Sequence, residues 1–287
     1  MKKLVVGCGY LGQRVAAAWR IQGDCVYVLT RSAERADSLR QLGFKAIVGD
    51  VTDPNSLTEL SRLPGIATTL YAVGHDRESG NSIRKVYVNG LRNVLEALPA
   101  NTERLIYISS TGVYGQSDNE TVDETSECMP TREGGRACWE AEQTLAHHTF
   151  GSKSVILRLA GIYGLGRIPS LTKLQSGQTL NVNADAYLNL IHVDDACRIV
   201  LSAEQATTPN LFVVSDGVPV RRREFYEHAA KLIGTSVTFG HAEDNDSGRR
   251  AQSGGKRICA DKLRRELDFV LQYPNYREGL AEILAES

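Results

Sequence analysis

Short apolar, β-branched runs recur along the chain with longer stretches of helical periodicity between them. This alternation builds βαβ units around a parallel sheet. The pattern predicts strands at 4–6, 26–29, 46–48, 69–72, 105–109, 155–159 and 211–214, and helices beginning near Tyr10, Ala33, Pro54, Ser82, Gly135 and Val193. Asp53-Pro54 places a capping carboxylate before a first-turn proline, and Asn81-Ser82 precedes a helix expected to run over 82–98 and to stop at Pro99. The expected fold class is α/β, a doubly wound parallel sheet.

After Leu159 the rhythm changes to a glycine-rich segment, a mixed stretch and two short helices. The expected division is a nucleotide-binding unit over 1–165, its sheet completed by parts of 190–215, and a smaller substrate lobe over 166–287. The segment 244–255, rich in Asp, Asn, Ser, Gly and Arg, reads as a mobile loop.

Composition narrows the class. With 287 residues, 42% of them hydrophobic, 23% charged and a net charge of −1, the chain is neither collagen-like nor disordered. From Gln205 onward 12 basic residues face 12 acidic ones, so the arginine clusters there do not make a nucleic-acid patch. The six cysteines form no Cys-x-x-Cys pair, which argues for reduced thiols and against a zinc ribbon. No apolar stretch approaches the ~18 residues that span a bilayer. The expectation is a cytoplasmic protein with no membrane, nucleic-acid or metal partner.

Gly7-Cys8-Gly9-Tyr10-Leu11-Gly12 fits Gly-x-Gly-x-x-Gly between a predicted strand and a predicted helix, the context in which the motif cradles a dinucleotide. The glycines permit a tight turn and close approach of backbone to a pyrophosphate, whose charge then meets the helix N-terminus. The second strand ends Thr30-Arg31-Ser32, without the carboxylate that would accept hydrogen bonds from the adenosine ribose. An arginine beside hydroxyls suits a 2′-phosphate, so NADP is preferred over NAD. Asp50 and Val51 close the third strand, where they would meet the adenine or, alternatively, cap the next helix. Ala72, Val73 and Gly74 follow the fourth strand and would border the cofactor.

Four further segments, Val88-Asn89-Gly90-Leu91-Arg92-Asn93-Val94-Leu95, Ile108-Ser109-Ser110-Thr111-Gly112-Val113-Tyr114-Gly115, Arg158-Leu159-Ala160-Gly161-Ile162-Tyr163-Gly164 and Leu190-Ile191-His192-Val193-Asp194-Asp195-Ala196, follow the glycine motif in order. Together they resemble the extended short-chain dehydrogenases, the NAD-dependent epimerases and dehydratases, over nearly the whole length. The resemblance implies a Rossmann-type domain with a small C-terminal substrate lobe, acting on a nucleotide sugar or a comparable small alcohol or carbonyl compound. It also implies a Tyr-x-x-x-Lys pair. Alignment on Glu142 puts Gly134 at the tyrosine position and Cys138 at the lysine position, and the stretch 118–148 contains neither residue type. The chain is therefore identified as an atypical member.

Candidates for the missing chemistry are Ser110, at the family's Ser/Thr position, and His75, whose ordinary pKa of ~6.5 suits proton transfer. Asp76, Tyr114, Tyr163 and Cys138 are further stand-ins, of which the tyrosines read as framework and Cys138 as a small buried apolar side chain. Thr111, Arg136 and Arg250 are candidate substrate contacts, with Arg136 and Glu140 spaced to form either an anion site or a solvated i, i+4 ion pair. Arg221 to Arg223 and Arg249-Arg250 would suit a diphosphate. His192, Asp194 and Asp195 supply too few ligands for a metal. Two readings stay open: an oxidoreductase or epimerase with a displaced acid/base, or a catalytically inactive dinucleotide sensor. A monomer and a homodimer are equally compatible.

Overall fold

The computed structural model describes residues 1–240 and 255–285, so the expected loop at 244–255, apart from Gly255, lies outside the described residues together with Arg249 and Arg250. The first half alternates as expected: β1 (Lys2–Val6), α1 (Gly12–Ile21), β2 (Cys25–Thr30), α2 (Ala33–Gln41), β3 (Lys45–Val48), β4 (Thr68–Tyr71), α3 (Gly90–Ala97), β5 (Arg104–Ser110). It continues through β6 (Asp118–Val122), α4 (Glu133–Ala146), β7 (Ser154–Leu159) and β8 (Gly161–Tyr163). The later elements include α5 (Leu171–Gln175), β9 (Leu180–Asn181), β10 (Tyr187–Leu188), β11 (Leu190–His192), α6 (Val193–Ser202) and β12 (Asn210–Val214).

Seven strands form one parallel sheet in the order β12-β7-β5-β4-β1-β2-β3. The α/β, Rossmann-type expectation therefore holds. Side chains alternate across a strand, so in β1, buried from Lys3 to Val6, Val5 enters one core with Val15, Trp19 and Ile199, while Leu4 and Val6 enter the other with Leu91, Val94 and Leu145. Burial on both faces explains why these strands read as unbroken apolar runs. A third cluster, including Tyr163, Leu180, Phe225, Tyr276 and Leu280, gathers side chains from the second half of the chain.

Local chemistry moves several boundaries. The first helix begins at Gly12 rather than Tyr10, because the glycine turn is not helical until Gly9 O accepts the Gln13 N–H at 3.0 Å. Asp53 caps Asn55 N as expected, but the helix at Pro54 is only the 3-10 turn Pro54–Leu57. A second such turn follows, and Leu63 is already extended before Pro64. The stretch expected over 82–98 starts once the Ser82 hydroxyl has accepted Lys85 N–H at 3.2 Å, then makes a turn of π-helix, Lys85–Asn89, before α3. Leu98 is extended ahead of Pro99.

Candidate functional site

The sheet order reverses between β1 and β4, and in open α/β sheets the crevice outside such a switch point takes the ligand. A cleft of about 380 Å³ lies there, lined among others by Gly7, Gly9, Thr30, Arg31, Asp50, Val51, Ala72, Val73, Gly74 and His75. The three glycines have separate reasons. Gly7 has φ +93°, and a Cβ on it would stand 2.6 Å from Ala72 O. A Cβ on Gly12 would stand 2.2 Å from Gly7 O, whereas one on Gly9 would meet nothing within 4 Å. Gly7 and Gly12 thus let the turn close on itself, and Gly9 leaves open space where a pyrophosphate would approach the backbone. The cradle fits a dinucleotide.

The rim is tied together across the fold. Tyr10 lies against the Arg14 guanidinium, 4.4 Å from its ring centroid, and donates its hydroxyl to Leu165 O at 2.9 Å. Leu11 is buried. The Asp50 carboxylate accepts from Thr52 N–H and Oγ1, both at 2.8 Å. Val51 is held by Asn93, whose amide donates to Val51 O at 2.8 Å, and by Gly90, where a Cβ would fall 2.8 Å from Val51 Cγ2. At the end of β2, the Ser32 hydroxyl caps α2 by accepting Arg35 N–H, so it is less free for a ligand than its position suggested. Arg31 reaches across the cleft to Asp76 at 3.0 Å, and that guanidinium holds the Asp76 carboxyl below its ordinary range.

His75 lines the same cleft. Its backbone N–H donates to the Tyr87 hydroxyl at 3.2 Å, and its Nε2 lies 2.9 Å from Asn81 O, which fixes the proton on Nε2 and leaves Nδ1 as the ring's acceptor. Ser110 Oγ accepts Gly112 N–H at 3.0 Å and caps the 3-10 turn that starts at Thr111. Among the described residues the Ser110 proton has no acceptor. A Cβ on Gly135 would stand 2.1 Å from Gly112 O, so α4 packs directly on this turn.

Behind the turn lies a buried network. Glu142 accepts from Ser109 Oγ and, through both oxygens, from Arg158, whose Nη1 donates to Tyr114 Oη at 2.8 Å. Tyr114 Oη in turn donates to Asp123 O at 2.7 Å. Tyr114 is framework, as expected. Cys138 is 7% exposed, and burial together with Glu142 pushes its thiol up to about 12, which makes it no nucleophile.

Other expectations are corrected. Arg136 and Glu140 do not pair: Glu140 is held by Arg84 from the facing helical stretch through two guanidinium nitrogens, and Arg136 donates to Thr131 O at 2.8 Å. Arg221 donates to Asp185 O and stacks 4.0 Å from the Tyr187 ring centroid, and Arg223 lies 3.8 Å from Asp185 and over Phe239. These cations are thus engaged within the described residues rather than poised as a clamp. His192 Nδ1 caps Asp194 N–H, and Asp195 accepts the backbone N–H groups of Gln272 and Tyr273.

Two groups escaped the sequence reading. Lys256 donates to Tyr114 O at 2.6 Å, and burial plus the Arg132 guanidinium push its amine down to about 8. Tyr87, on the π-turn, accepts the His75 N–H and packs against the apolar cluster that contains Cys138. Neither stands in a motif that would single it out; only spacing along the π-turn would have hinted at Tyr87.

Comparison with known proteins agrees with this geometry. Residues 4–215 match the family described as NAD dependent epimerase/dehydratase. The chain is 29% identical to protein YeeZ of Escherichia coli K12 over 283 residues, covering 96% of this chain and 97% of that protein. It is 30% identical to a structurally determined candidate NAD-dependent epimerase/dehydratase of Methylobacillus flagellatus, with a TM-score of 0.80 and coverage of 99% and 98%. The UDP-glucose 4-epimerase of Thermus thermophilus, solved with NAD, shares the fold with a TM-score of 0.82 at 18% identity, over 99% of this chain and 98% of that one. With the cradle, the switch-point cleft and a family match over most of its length, the chain belongs to the NAD-dependent epimerase/dehydratase family.

Proposed function

We propose that the protein is a dinucleotide-dependent oxidoreductase or epimerase-like enzyme that prefers NADP to NAD and acts on a small alcohol or carbonyl compound, with a nucleotide sugar as the leading class. The observation that carries this reading is the cleft itself, with open space over Gly9 and a guanidinium at the end of β2. Gly7, Gly9, Tyr10, Leu11 and Gly12 would hold the pyrophosphate, Thr30, Arg31 and Ser32 the adenosine ribose, and Asp50 with Val51 the adenine. Ala72, Val73 and Gly74 would border the rest of the dinucleotide, which when bound supplies or accepts a hydride. Arg31 would exchange Asp76 for a 2′-phosphate, a stronger bidentate partner than a half-exposed carboxylate. Ser110 and Thr111 would contact the substrate beside it. The division into a nucleotide-binding unit over 1–165 and a substrate lobe over 166–287 belongs to this proposal and is supported by the separate third apolar cluster.

The test is calorimetric titration with NADPH and NADH, repeated on Arg31→Asp. Tighter binding of NADPH, reversed toward NADH in the variant, is the expected result. Equal affinities for both in the wild type refute the NADP assignment, and no binding of either refutes the whole reading. One observation favours the second reading, a sensor without catalysis: 118–148 holds neither tyrosine nor lysine. Under that reading Ser110→Ala leaves the cellular role intact, whereas Gly9→Val abolishes it.

A further inference from the structure

The absent acid/base leaves a space that the facing helical stretch enters. Gly134 and Cys138 are four residues apart in α4, hence on one face. Ile83 and Tyr87 have the same spacing on the opposing stretch. A Cβ on Gly134 would meet only Ile83 Cδ1, at 3.4 Å. Tyr87 packs against the cluster that contains Cys138 and Val113 and stands within electrostatic reach of the Cys138 thiol. The two i, i+4 pairs therefore face one another, and Tyr87 brings a phenol to the face that lacks one.

The hydroxyl reaches the backbone of His75, which lines the cleft. It accepts the His75 backbone N–H at 3.2 Å, and the two rings meet edge to face with centroids 6.4 Å apart. Among the described residues its own proton has no acceptor. The ring rides on a turn of π-helix, a local distortion often found where a side chain must be re-aimed for function. Val113, in the same cluster, belongs to the turn that Ser110 caps, so the Tyr87 ring packs beside that turn.

We propose that Tyr87 is the proton donor and acceptor of this enzyme, supplied from the π-turn in place of the tyrosine missing from α4. Reduction of a carbonyl adds a hydride at carbon, drawn from the reduced dinucleotide, and a proton at oxygen, given by Tyr87; the resulting phenolate recovers its proton from water. Oxidation of the alcohol runs the same transfers backward. Burial raises the Tyr87 phenol above its ordinary value; the His75 N–H draws it back down, Cys138 adds to the rise and the Arg167 guanidinium lowers it a little.

This inference rests on the dinucleotide-binding reading, and the experiment separates the two. The full chain, labelled with 13Cζ-tyrosine, is titrated with pH while free, with NADP+ and with NADPH; the Tyr87 resonance is the one missing in Tyr87→Phe. An opposite charge within ~4–6 Å moves a pKa by a unit or more, so the positively charged oxidised nicotinamide should lower the Tyr87 midpoint by at least one unit relative to NADPH. Tyr87→Phe should bind NADPH within about threefold of wild type, because phenylalanine keeps the ring and loses only the acceptor of one hydrogen bond. The same midpoint with both dinucleotides overturns the proposal, as does a loss of NADPH affinity beyond tenfold, which would make Tyr87 a binding strut. If neither dinucleotide binds the wild type, the functional reading fails and this inference falls with it.

Discussion

Replacing Asp216 with asparagine should stabilise the protein at neutral pH and change little in acid. Asp216 follows β12 on the ligand side of the sheet and is 1% exposed. Its Oδ1 accepts Val218 N–H at 2.9 Å, while Oδ2 is buried with no partner among the described residues. Burial raises the carboxyl from 3.8 to about 7, against the Val218 N–H and the Arg264 guanidinium, which lower it, and with Asp195, which raises it further. The folded protein therefore holds a proton that the unfolded chain releases near pH 4. The stability contributed by the neutral acid is fully present below that pH and is lost as pH rises to about 7. At ~1.36 kcal/mol per pKa unit, the ionised group costs the fold at most about 4 kcal/mol at pH 8. Asparagine keeps the Val218 contact and replaces an unpartnered hydroxyl with an unpartnered amide, so those terms nearly cancel. Urea unfolding of both proteins at pH 4.5, 6, 7 and 8 should show the variant's advantage growing with pH to about 2–4 kcal/mol. An advantage that does not vary with pH, or a variant less stable than wild type at pH 8, would refute the argument.

Two glycine pairs separate binding from packing. Gly9→Ala should leave the melting temperature within a degree or two and weaken NADPH binding, since its Cβ enters only the open cradle, whereas Gly12→Ala should lower both, because its Cβ would stand 2.2 Å from Gly7 O; calorimetry and thermal denaturation read the two effects. In α4, Gly134→Ala should be neutral or stabilise by up to ~1 kcal/mol through helix propensity, while Gly135→Ala, driven against Gly112 O at 2.1 Å, should destabilise clearly in denaturant unfolding.

The sequence by itself determined the sheet and the cradle. Both are written in local patterns: apolar runs long enough for doubly covered strands, and glycines at a spacing that only a strand-turn-helix junction can use. Tertiary structure decided who meets whom across the cleft. Glu140 has a basic residue four positions away, yet the fold gives it Arg84, 56 residues distant. Arg31 finds Asp76 across 45 residues, and Lys256 finds Tyr114 O across 142. Such partners are set by sheet order and helix packing, which bring separate segments within hydrogen-bond reach, and no short-range pattern records them. The same holds for Tyr87: its segment reads as an ordinary helix, and only the fold brings its hydroxyl to the backbone N–H of His75 and its ring beside Cys138 and Val113.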